Sequence, residues 1–222
     1  MLKLSDLKIF LQYTELKQSI DEVWDSVGIS FLREQDNLPL EKAMTRKEIS
    51  FHDQVKFLGY LCWLISDVSG DIIEIGVWKG KSASFMNQMC QRSRRIIAID
   101  PMALPNQASE LEFYHERLFP EVVLIRGFSE MSIERVLALK PKTLILHIDG
   151  GHQGRNVLLD FLLYAPTVVS GGFIVFDDYR DYQYSPDVGP AIDLLRAGGY
   201  FNKFDVIGSV PGYENSYLLK KK

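Results

Sequence analysis

Apolar positions along the chain change their spacing in a regular way, and those changes mark out the elements. Between residues 6 and 26, Ile9, Tyr13, Leu16, Ile20 and Val23 follow helical spacing, with Ser5 placed to cap the start and Gly28 just past the end. Gly28 to Ser50 is polar and mixed, and reads as a connecting segment, with a lid over a site as the alternative. Residues 53 to 67 are apolar almost all round, as in a buried helix. From residue 71 a new rhythm begins. Apolar strands at 71–75, 95–100, 121–126, 143–149 and 172–177 alternate with helices at 82–91, 107–118, 130–139, 153–165 and 188–197. Two late strands, near 203–208 and 214–220, close the chain as an antiparallel pair at a sheet edge. Near-continuous apolar strands separated by helices predict an α/β protein, a Rossmann-like doubly wound sheet of about seven strands. The expected division is an N-terminal helical extension, residues 1–50, followed by one domain over 51–222.

The first strand of this series runs into Asp71-Ile-Ile-Glu-Ile-Gly-Val-Trp-Lys-Gly-Lys-Ser82, where an acidic residue is followed by two glycines spaced Gly-x-x-x-Gly. Such a turn faces the carboxyl end of its strand, where doubly wound sheets bind ligands. A phosphate-cradling P-loop needs four residues between its first glycine and Gly-Lys-Ser, and Gly76 to Gly80 leaves three. A dinucleotide site needs a glycine at position 78, which is Trp78. The remaining pattern, Glu-x-Gly-x-x-x-Gly at Glu74, Gly76 and Gly80, resembles that of S-adenosylmethionine-dependent methyltransferases.

Composition narrows the partners. The 222 residues are 46% hydrophobic and 24% charged, enough for a sizeable core and too apolar for disorder. A formal charge of −4 and a pI near 5.6, with no basic cluster beyond Lys220–Lys222 and the mixed Arg92–Arg95, argue against a polynucleotide substrate. The N-terminus lacks the apolar core of a signal peptide and no apolar run reaches membrane-spanning length, so a soluble cytoplasmic protein without membrane contact is expected. Cys62 and Cys90 sit among apolar helical neighbours and are expected as reduced core thiols.

Candidate chemistry collects at the strand ends. Asp100 closes the second strand, where a carboxylate accepts hydrogen bonds from ribose hydroxyls. After the third strand, Phe128 is placed to cover an adenine and Ser129 to line the same site, or only to cap the next helix. The fourth and fifth strands, neighbours about 4.8 Å apart in the order 3-2-1-4-5, end in Asp149 and in Asp177-Asp178. Three carboxylates so placed repel one another, and a hard divalent ion such as Mg²⁺ relieves the repulsion. His152, three residues past Asp149, is the candidate general base. His52, His115 and His147 are read as structural.

With these residues the chain resembles the metal-dependent sugar O-methyltransferases of the macrocin O-methyltransferase type. The likeness rests on Glu74-x-Gly76-Val77-Trp78-x-Gly80, Asp149-Gly-x-His152, and Asp177-Asp178-Tyr179 after Gly171-Gly172, and covers about residues 54 to 210. It implies the sheet order 3-2-1-4-5-7-6 and an S-adenosylmethionine site built from Glu74, Gly76, Val77, Trp78, Gly80, Ser82, Asp100, Phe128, Ser129 and Asp149. It also implies Mg²⁺ on Asp149, Asp177 and Asp178, and a catalytic pair of His152 and Asp149. The chain departs from many relatives at Gly154, where they carry an aromatic, and from some at Lys81, where they carry glycine. The expected activity is methyl transfer to a hydroxyl of a sugar or small natural product. A non-catalytic nucleoside-binding protein of the same fold and a P-loop-like nucleotide hydrolase are the alternatives, and homo-oligomerisation is left open.

Overall fold

The computed structural model describes residues 53–105, 107–210 and 213–222; the expected helix at 6–26, the segment after it and the boundary at residue 50 lie outside them. The described elements are α1 (Asp53–Leu64), β1 (Asp71–Ile75), α2 (Lys81–Met89), β2 (Ile96–Asp100), α3 (Gln107–Leu118), β3 (Val123–Arg126) and α4 (Ser129–Ala138). They continue with β4 (Thr143–Ile148), α5 (Gly154–Tyr164), a 3-10 turn, β5 (Val168–Phe176), α6 (Val188–Ala197), β6 (Phe204–Val210) and β7 (Tyr213–Lys221). Two compact units interleave along the chain, one carrying α1, α2 and α3, the other the sheet with α4, α5 and α6.

In the sheet unit all seven strands join in the order β3-β2-β1-β4-β5-β7-β6. The first five run parallel, and β7 is antiparallel to both β5 and β6, giving the Rossmann-like order that the sequence implied. Every residue of β1, β2 and β4 is buried. That is why these strands read as unbroken apolar runs: an inner parallel strand has no solvent face. Two of the polar exceptions are paired through side-chain contacts. Asp71 takes a bidentate contact from Arg95 at 2.8 and 2.9 Å, and Thr143 meets Thr167 at 2.8 Å. An unpartnered buried polar group would cost roughly 1–3 kcal/mol.

Residues of one parity, among them Ile73, Ile75, Ile97, Ile99, Leu146 and Ile148, join Val136, Phe161 and Ile192 from the helices in one apolar cluster. Phe161 is its hub, with ring centroids 5.9 Å from Phe176 and 5.3 Å from Phe201. β5 starts four residues earlier than expected, at Val168. Gly171 and Gly172 look like a break in sequence, but Gly171 takes φ +83 where the pairing with β4 shifts register, so an irregularity absorbs them.

In the helical unit, α1 lies close against α2 because residue 59 is glycine: a Cβ there would stand 2.4 Å from Phe85 Cε1. The helix ends at Leu64 rather than 67, and Arg94 Nη2 donates to the carbonyls of Ile65 and Val68 at 2.8 and 2.7 Å. His115 Nε2 lies 2.8 Å from the Val122 carbonyl, a structural role as expected. Among the described residues, no helix is long and apolar enough to cross a membrane.

Candidate active site

Backbone hydrogen bonds set the carboxyl ends of the five parallel strands in a row. Gly127 N–H donates to the Asp100 carbonyl at 3.0 Å, Gly76 N–H to Ile99 at 2.9 Å, Asp149 N–H to Ile75 at 2.8 Å and Asp177 N–H to Ile148 at 3.0 Å. Each strand thus hands on to its neighbour one residue past its end, which brings Asp100, Gly76, Asp149 and Asp177 to one edge. Val77 N–H donates to Asp100 Oδ2 at 2.9 Å, so this buried carboxylate holds the turn after β1. A carboxylate has about four lone-pair sites, and holding the turn leaves the ribose role chemically compatible.

Gly76 and Gly80 are both required by packing within the protein. Gly76 has φ +87, and a Cβ there would lie 1.8 Å from the Asp149 carbonyl oxygen. Gly80 has φ +88, and its Cβ would meet Phe119 Cζ at 2.2 Å. Close approach of the protein to itself demands both glycines.

Glu74 is fully buried in β1, on the face opposite the apolar cluster. Its Oε1 lies 3.1 Å from His147 Nδ1, and its Oε2 is buried with no hydrogen-bond partner among the described residues. His147 is packed, as expected, but it is also Glu74's partner across the β1–β4 pairing.

At the ends of β4 and β5, ligand atoms of Asp149, His152 and Asp178 all lie within 4.8 Å of one another. Asp177, expected as the third metal carboxylate, lines the same recess but is not in this group; His152 takes its place. Burial pushes the Asp177 carboxyl up to about 7, with His147 opposing the rise and Asp178 adding to it. Asp178 has φ +59, a left-handed conformation that Asp tolerates better than most residues.

Ser185, which carries no motif, joins the group. Its Oγ donates to Asp178 Oδ2 at 2.8 Å and lies 2.8 Å from His152 Nδ1. A hydroxyl has one proton, so donation to the carboxylate makes Nδ1 the donor to Ser185 and leaves the imidazole lone pair on Nε2. Nε2 stands 3.3 Å from Asp178 Oδ2. Two acceptors at that distance repel, and a shared proton or cation relieves them. Two carboxylates and an imidazole form a donor set that accepts a divalent ion.

The remaining expected residues are spread more widely. Phe128 is 53% exposed at the position before α4 and makes no side-chain cap. Ser129 is the first residue of α4, and its hydroxyl hydrogen-bonds Asp160, so it is neither the N-cap nor directed only at a ligand. Trp78, Gly80 and Ser82 fall in the helical unit. There Trp78 is 54% exposed with φ +52, its carbonyl accepts from Gln107 Nε2 at 3.3 Å, and Ser82 lies in the first turn of α2.

A family model described as a methyltransferase domain matches residues 73–179, the span from β1 to the acidic pair. The uncharacterized protein R132 of Acanthamoeba polyphaga mimivirus is 38% identical over 149 residues, 63% of this chain and 67% of that protein. Residues 73–179 are a methyltransferase domain. The fold is shared with CalS11, a TDP-rhamnose 3'-O-methyltransferase of calicheamicin biosynthesis, at 16% identity and TM-score 0.61 over 93% of this chain and 94% of that one. It is also shared with MycE of the mycinamycin pathway, solved with Mg, SAH and mycinamycin VI, at 18% identity and TM-score 0.51 over 71% of this methyltransferase and 46% of that chain.

Proposed function

We propose that this methyltransferase uses S-adenosylmethionine to methylate a hydroxyl of a sugar or small natural product, with Mg²⁺ or a similar divalent ion beside the acceptor. The observation that carries this reading is the close group of Asp149, His152 and Asp178 at the ends of β4 and β5, next in strand order to the Gly76–Asp100 turn. CalS11, a TDP-rhamnose 3'-O-methyltransferase, and MycE, solved with Mg, SAH and mycinamycin VI, support the same reading.

S-adenosylmethionine supplies a methyl activated on a sulfonium, and a bound divalent ion lowers the pKa of a hydroxyl held beside it. The chain's residues then orient and deprotonate. Asp100 accepts from ribose hydroxyls while holding Val77. Glu74 Oε2, which has no hydrogen-bond partner among the described residues, offers a carboxylate oxygen to the cofactor's ammonium group. Asp149 and Asp178 hold the ion, and His152 Nε2 accepts the proton of the acceptor hydroxyl. Phe128, more than half exposed, offers apolar surface for the nucleoside.

Calorimetry with S-adenosylhomocysteine and with ATP, each with and without Mg²⁺, tests the cofactor. Binding of S-adenosylhomocysteine alone supports the reading; binding of ATP alone overturns it in favour of nucleotide hydrolysis. Incubation with S-adenosylmethionine and a panel of nucleotide-activated sugars and glycosides, read as gain of one methyl by mass spectrometry, tests the acceptor class.

A further inference from the structure

We propose that Cys62 and Cys90 form an oxidation site, a thiol pair that closes to an intramolecular disulfide on exposure to a hydroperoxide. Both residues lie in the helical unit, one on α1 and the other at the C-cap of α2. The two helices approach closely at Gly59, whose Cβ position is 2.4 Å from the Phe85 ring and 3.5 Å from Met89 Cγ. Cys62 is three residues, just under one helical turn, beyond Gly59, and Cys90 directly follows Met89. The crossing therefore sets the two thiols side by side, in hydrogen-bond contact. Cys62 is buried and Cys90 only half-buried, so a small oxidant reaches Cys90 first.

Arg94 completes the site. Its Nη2 is held by the carbonyls of Ile65 and Val68, which brings the guanidinium beside Cys90. The hydrogen bond with Cys62 holds the Cys90 thiol below its usual range, and Arg94 adds to that effect against the opposing influence of burial. A thiol of lowered pKa beside a cation and a second thiol is the arrangement of peroxide-sensitive cysteines.

The chemistry balances with hydrogen peroxide as oxidant. The Cys90 thiolate attacks one peroxide oxygen; an S–O bond forms, the O–O bond breaks and the departing hydroxide leaves as water with the proton that Cys90 released. The Cys62 sulfur then attacks the Cys90 sulfenic acid; the S–S bond forms, the S–O bond breaks and the hydroxide leaves as water with the Cys62 proton. Two thiols and one peroxide give one disulfide and two waters.

The test uses the full chain with a small molar excess of hydrogen peroxide, followed by intact mass, thiol titration under denaturing conditions and a non-reducing gel. The expected result is loss of both thiols, a mass lower by two hydrogens, a monomeric band and full reversal by dithiothreitol. Cys62→Ser should trap Cys90 as a sulfenic acid that dimedone labels, whereas Cys90→Ser should leave Cys62 unreacted. Persistence of both thiols, oxidation of Cys90 to sulfinic acid with Cys62 still free, or disulfides only between chains would each overturn the proposal.

Discussion

Val77 donates its backbone N–H to Asp100 Oδ2 at 2.9 Å, tying the turn after β1 to the end of β2. The carboxylate that the sequence marks as a ribose ligand is therefore also the post that holds the glycine turn. Two variants separate these roles. Asp100→Ala loses the turn contact and the ribose acceptor, and S-adenosylhomocysteine affinity should fall tenfold to hundredfold, about 1.5–3 kcal/mol. Asp100→Asn keeps an oxygen for Val77 and should lie between that variant and wild type. Unchanged affinity in a folded alanine variant would falsify the ribose role.

Glycine at position 76 is required twice, by φ +87 and by the Asp149 carbonyl 1.8 Å from the Cβ position. Gly76→Ala should destabilise the protein by about 2–5 kcal/mol, strain and overpacking combined. Gly171 is a control, with φ +83 but open space around its Cβ position. Gly171→Ala should cost only about 1–2 kcal/mol. Urea unfolding of both variants checks the difference, and equal losses would contradict the close β1–β4 approach as the larger cause.

Removal of divalent ions should abolish methyl transfer while leaving S-adenosylhomocysteine binding intact, because the ion and cofactor groups occupy different strand ends. Asp178→Asn and Asp149→Asn should each weaken Mn²⁺ or Mg²⁺ binding, measured by calorimetry. Asp177→Asn should weaken it less, since Asp177 lies outside the close group. Full turnover in excess EDTA, with metal content checked, would eliminate the ion from the mechanism.

His152→Ala should lower turnover by roughly 10² to 10⁴, the usual contribution of a positioned base, with the cofactor still bound. Ser185→Ala, which frees the imidazole to adopt either tautomer, should lower kcat more than it raises KM. Retained ion binding in His152→Ala identifies a base. Loss of the ion instead makes His152 a ligand, and a carboxylate must then take the proton.

Asp160 is buried beside Ser129, and burial pushes its carboxyl up to about 6, with the Ser129 hydrogen bond opposing the rise and Glu130 adding to it. The folded state holds this proton more tightly than an unfolded chain with a pKa near 3.9. The stabilisation is therefore complete below about pH 4 and is lost as pH rises through about 6, an amount on the order of 3 kcal/mol. Asp160→Asn should gain on wild type by up to about that amount between pH 4.5 and pH 8 in urea unfolding. A pH-independent difference would show that Asp160 ionises normally.

The amino-acid sequence by itself determined the alternation of strands and helices. The reason is that a parallel strand buried on both faces must be apolar throughout, as Ile72 to Ile75 and Leu144 to Ile148 nearly are. It also located Asp100, Asp149, Asp178 and His152, because the carboxyl ends of such strands are where a ligand meets side chains. Other features depend on contacts that no local pattern encodes. Glu74 meets His147, 73 positions away, only through strand pairing. Ser185 reaches His152 and Asp178 only because the segment after β5 folds back. Whether Asp177 or His152 joins the close group with Asp149 turns on which way each side chain leaves its backbone, and spacing along one strand end cannot express that. The glycines show the same division: their positions were legible, but the neighbours that forbid a side chain, the Asp149 carbonyl and the Phe119 ring, are brought there only by the folded chain.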